Sequence, residues 1–97
     1  MKKEEFIIKL KKPYQFQGQE YKEIDLSGLQ KLTAQNLIEA ERQYVATGQA
    51  AAVTEMSIGY ACIVAAMATN KPVEFFNGLP APEIIKVKNV VTTFFYN

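Results

Sequence analysis

The sequence predicts an α+β fold: an N-terminal β-hairpin followed by a small bundle of three to four helices, in one domain spanning residues 1–97. Three observations carry this. Apolar and polar residues alternate over the first quarter of the chain, the period of a strand. From Thr33 onward apolar residues recur at three- and four-residue spacing, the period of a helix. The chain has 97 residues, 48% of them hydrophobic and 22% charged, which is enough for one core and too little for two.

The hairpin is expected over residues 5–26. Phe6, Ile8 and Leu10 alternate with Ile7, Lys9 and Lys11. Pro13 cannot donate to a ladder and suits an edge or a bend. Gln17-Gly18-Gln19 reads as the turn, after which Tyr21, Ile24 and Leu26 resume the pattern, and Ser27-Gly28 ends it.

The helices are expected over residues 34–96. Thr33 is placed as the N-cap of the first, because its hydroxyl accepts from an orphan backbone N–H. Gly48 is its natural C′ stop, so this helix runs from about Ala34 to Ala46. The second helix starts after Thr54 or Ser57 and ends near Ala68. It is apolar nearly all round, so it is either the central helix of the core or carries a face reserved for a partner. Pro72 opens a short helical turn that Asn77-Gly78 stops. The last helix runs from about Ala81 to Tyr96. Its β-branched residues favour a strand locally, but the spacing of Ile84, Val87, Val91, Phe94 and Phe95 is helical.

Charge and composition exclude several classes of function. A net charge of +1 provides no global field toward nucleic acid or an anionic membrane. Five of the eleven basic residues lie in the first twelve positions, as a basic arm or, more simply, as lysines that discourage sheet-to-sheet association. Cys62 has no partner for an internal disulfide and reads as a buried thiol in a reducing compartment. Met1-Lys-Lys precedes Glu4-Glu5 rather than an apolar run, and the longest uncharged stretch is shorter than a membrane span. A cytoplasmic protein is expected, with no membrane and no nucleic-acid partner.

Catalytic chemistry is missing. The chain has no histidine, hence neither the commonest general base nor the commonest zinc ligand. One cysteine builds no zinc finger, the acidic residues form no calcium loop or paired-carboxylate site, and no glycine sits in a phosphate-cradling loop. The expectation is no catalytic residue, no metal and no cofactor.

Two charges fall inside apolar arcs. Glu41 lies among Leu37, Ile38, Ala40, Tyr44 and Val45 on the first helix, and Lys88 among Ile84, Val91 and Phe95 on the last. A buried unpaired carboxylate costs several kcal/mol. Glu41 is therefore expected to meet Lys88 between the helices or to accept bonds from a helix N-terminus. The plainer alternative leaves both at the rim with packed stems and wet heads.

The ordered set "IKLKKPYQFQGQEYKEIDLSGLQKLTAQNLIEAER" and "PVEFFNGLPAPEIIKVKNVV" resembles the small E/41/14-like family of phage tail assembly chaperones, over roughly residues 7 to 95. Asn36 departs from it, since the family pattern usually has an acidic residue there. The resemblance implies a cytoplasmic, non-catalytic assembly factor of the bacterial host. It would keep the tape measure protein soluble until tail-tube subunits polymerise around it. It also implies a longer form made by a ribosomal slip near "TTFFYN". Partner contacts are expected through Met56, Tyr60, Met67, Phe94 and Phe95, with self-association as a further expectation for so small a domain. The competing readings are a structural tail or head-to-tail component retained in the virion, a small nucleic-acid-binding regulator, and, most remote, an enzyme.

Overall fold

The computed structural model describes residues 2–48 and 57–96. Ile7–Phe16 forms β1 and Gln19–Asp25 forms β2, an antiparallel pair. Phe16 pairs with Gln19, so the turn is Gln17-Gly18 alone, with φ of 50° and 79°. Two successive positive φ values make the primed turn whose twist matches that of the strands.

The hairpin is not uniform. Lys9 pairs with Glu23 and Tyr14 with Tyr21, so Leu10 to Pro13 stand opposite Lys22 alone. Pro13 has no N–H for the ladder, which makes this the least costly place to break it. Before β1, Lys3–Phe6 is a 3-10 turn that buries Phe6. Leu26 N–H donates to Phe6 O at 2.8 Å and closes the base of the hairpin. A second 3-10 turn, Ser27–Lys31, buries Leu29. A Cβ on Gly28 would collide with the backbone carbonyl of Ala68, so only glycine permits this turn to lie so close to the helix carrying Ala68.

The bundle begins with α1, Ala34–Ala46. Thr33 Oγ1 accepts from Asn36 N–H while Asn36 Oδ1 accepts from Thr33 N–H at 2.9 Å. Asn36 thus completes a reciprocal cap in the place where an acidic residue usually does so. Gly48 follows the helix at φ 83°. The next helix, α2, is Ile58–Thr69, capped by Ser57, whose Oγ accepts from Tyr60 N–H at 3.0 Å. Every residue from Tyr60 to Ala66 is buried. A small domain gives one helix this treatment by packing everything else around it, and α2 contacts α1, the Ser27–Lys31 turn and both later helices.

Asn70, at φ 57°, ends α2. Val73–Asn77 is α3 and Ala81–Phe95 is α4. Phe75 of α3 is fully buried, with the rings of Tyr14, Phe16 and Tyr21 at 5.2, 5.2 and 4.9 Å. Tyr14 Oη donates to Phe75 O at 2.9 Å. The turn end of the hairpin is thereby held on α3 by edge-to-face aromatic contacts. In α4, Ile84, Val87 and Val91 are buried and face α2. Burial of one helical stripe outweighs the β-branched content of this segment.

Candidate docking surface

The α1 sequence supplies more apolar side chains than its packing face takes. Ala40 and Tyr44 are buried and Leu37 is half-buried, so the core side of the helix is this i, i+3, i+7 row. Ile38 and Val45, also seven apart, point outward and are 53% and 62% exposed. Glu41 sits between these two rows and is itself exposed. The apolar arc is therefore split, one half in the core and the other in water, and Glu41 marks the boundary. The expected meeting with Lys88 is not formed: Lys88 is half-buried at the edge of α4, and no ion pair joins the two among the described residues. The reason is that α1 packs chiefly on α2 and Glu41 stands on its exposed side.

A depression of about 290 Å3 is lined by Leu37, the chain neighbour of Ile38, and by Tyr60, Phe95 and Tyr96. Tyr60 is its anchored member. Its hydroxyl donates to Leu37 O at 3.3 Å, and its ring lies 6.2 Å from those of Tyr44 and Phe95. Tyr96 closes one side and is 61% exposed. Ile58, at the start of α2, and Ile85, near the start of α4, are further large apolar side chains in part exposed, at 42% and 41%. The end of α4 thus offers an aromatic depression, with Leu37 of α1 on its wall.

Of the residues expected to contact a partner, Tyr60 is buried and Phe95 half-buried, both lining this depression. Phe94 is half-buried with its ring 6.1 Å from Phe6, which ties the end of α4 to the Lys3–Phe6 turn. Met67 is half-buried against the core, away from the depression. Met56 lies outside the described residues. Two of the most exposed apolar groups, Ile38 and Val45, were missed because in sequence they look like the continuation of a core face.

A second feature was also missed. Glu83, in the first turn of α4, is only 5% exposed. Its Oε2 accepts from the Lys11 N–H at 2.8 Å, an amide released from the ladder by the break in β1. Its Oε1 lies 2.9 Å from Lys86 Nζ. The bond from Lys86 holds the Glu83 carboxyl below its usual pKa of 4.5, burial opposes this, and the Lys11 N–H and the charges of both lysines reinforce it. Glu83 thus fastens β1 to α4. An acid in the first turn of a helix is ordinary, so only the long-range contact distinguishes it.

Among the described residues, no group of acidic, histidine or cysteine side chains is arranged to hold a metal ion, and no helix is long and apolar enough to cross a membrane. The fold is a small α+β domain, among the described residues a two-stranded hairpin followed by four helices. Residues 7–96 match the family of phage tail assembly chaperone proteins, E, or 41 or 14, and the chain belongs to that family. No curated protein and no solved structure matches it.

Proposed function

We propose that this tail assembly chaperone binds the tape measure protein and keeps it soluble while the tail tube assembles. The observation that carries this is the apolar row Ile38 and Val45 left in water on α1, together with the depression lined by Leu37, Tyr60, Phe95 and Tyr96. Apolar side chains held in water and an open aromatic depression suit a helix laid against them. A long helical ruler presents such faces repeatedly. On this reading the protein is non-catalytic, acts in the cytoplasm of the bacterial host and is absent from the finished virion. A longer frameshifted form and the tail-tube subunit complete its set of partners.

The test is co-expression of this chain with the tape measure protein of the same phage, scored by solubility and co-elution on a sizing column. The expected result is a soluble complex that Ile38→Glu combined with Val45→Glu disrupts. Insolubility with both this chain and its longer form, together with recovery of this chain in purified virions, would instead establish a structural tail or head-to-tail component.

A further inference from the structure

The break in β1 opens a cleft against the start of α4. Its volume is about 430 Å3, and its apolar walls are Leu10, Pro13 and Tyr14 on one side and Leu79, Pro80 and Pro82 on the other. Three prolines fix the backbone on both sides, so the cleft is formed in advance and little ordering is needed to fill it. Burial raises the pKa of Tyr14, whose hydroxyl is already committed to Phe75 O.

The charges around this cleft do not balance. Lys11, Lys12 and Glu83 line it. The Glu83 carboxylate is taken up by Lys86 Nζ and by the Lys11 N–H. Lys11 and Lys12 are exposed and neither forms a close ion pair among the described residues, the Lys11 charge acting on Glu83 only from a distance. An apolar slot with a rim of net positive charge remains, on a surface distinct from the aromatic end.

We propose that this cleft is a second docking site, which takes an extended partner segment bearing an apolar side chain flanked by carboxylates. The apolar group seats between Pro13 and Pro80, and the carboxylates meet Lys11 and Lys12. A helix, about 10–12 Å across with its side chains, does not enter a cavity of this size, whereas one or two side chains of an extended strand do. Strand addition at the break itself is blocked, since Lys11 N–H is bonded to Glu83 and Pro13 has none.

The probe is acetyl-Glu-Leu-Phe-Glu-amide, titrated into the 15N-labelled full chain, with acetyl-Lys-Leu-Phe-Lys-amide as its charge-reversed control. The expected result is saturable shifts at the amides of Leu10, Lys11, Lys12, Tyr14 and Leu79 with the acidic peptide only, weakening as salt is raised. Lys12→Glu should weaken binding about tenfold, whereas Lys12→Arg should retain it. Because Lys12 is exposed, an unchanged melting curve will show that both variants are folded. Equal shifts with both peptides, shifts confined to the aromatic end, or no shift at millimolar peptide would each overturn the proposal. So would stronger shifts at these amides with a single-stranded oligothymidylate. None of these outcomes bears on tape measure binding at the other end.

Discussion

The two ends of the molecule invert the usual rule in opposite senses. Where β1 meets α4, a carboxylate is buried: Glu83 is 5% exposed and bonded on both oxygens. Along α1, apolar groups stand in water, with Ile38 and Val45 more than half exposed and Glu41 solvated between them. The first inversion is structural. Breaking β1 releases an amide that must find an acceptor, and Glu83 supplies one that also ties the hairpin to the bundle. The second has no structural return, because Ile38 and Val45 contribute nothing to the core. The proposed contact with another molecule is placed on this row because its apolar side chains have no packing role.

If this contrast is right, substitutions at the fastening end should change stability, and those at the exposed row should change association. The largest effect is expected for Phe75→Ala. Phe75 meets three hairpin rings as well as Phe76, and its removal should cost about 3–5 kcal/mol in denaturant unfolding. Glu83→Ala comes next, at about 1–3 kcal/mol, since it leaves the Lys11 N–H without its acceptor. A loss well below this range would mean that water replaces the carboxylate and that the ring cluster alone holds the hairpin.

The same carboxylate sharpens the contrast through pH. The folded pKa of Glu83 is depressed, chiefly by the bond from Lys86, so folding is stabilised when the group is ionised. That contribution is fully present above the usual value of 4.5 and fades as pH falls through the lowered folded pKa. Asp25 shifts in the same direction, through hydrogen bonds from the Ser27 backbone and hydroxyl. The useful quantity is therefore the difference in stability between wild type and Glu83→Gln, which cancels Asp25. It should be constant above this window and shrink below it. A difference that persists undiminished in acid would show that the role of Glu83 is steric rather than ionic.

How far this was legible in sequence follows from the range of each interaction. The helix ends could be read because caps are local: Thr33, Gly48 and Ser57 act within a few residues of themselves. The central position of α2 follows from its being apolar on every side. The break in β1 was signalled only by Pro13, because its size depends on a partner carboxylate, that of Glu83 in α4, 72 residues away from Lys11. The wheel of α1 showed a wide apolar arc but not which half of it meets α2, so Glu41 was read toward the interior and Ile38 and Val45 toward the core. Aromatic size drew attention to Tyr60, Phe94 and Phe95, whose rings serve largely as packing for one another and for Phe6 and Tyr44.

At the exposed row, Ile38→Glu with Val45→Glu should move stability by no more than about 0.5 kcal/mol, while abolishing co-elution with the tape measure protein. The smallest effect of all is expected for Glu41→Gln. Glu41 is exposed, and the neighbouring Arg42 is paired with Glu39 instead, at 3.1 Å. Removing its charge takes away no partner, and in the second half of α1 it slightly relieves the unfavourable end of the helix dipole. Melting curves of the variant and wild type should therefore coincide within a few tenths of a kcal/mol between about pH 5 and pH 8. A larger change would mean that Glu41 is covered in solution. Since it lies between Ile38 and Val45, the cover would be whatever sits on that row. Repeating the measurement over a range of protein concentrations separates the causes: an effect that grows with concentration identifies a second copy of this chain on α1, and one that does not places Glu41 in a contact within the monomer.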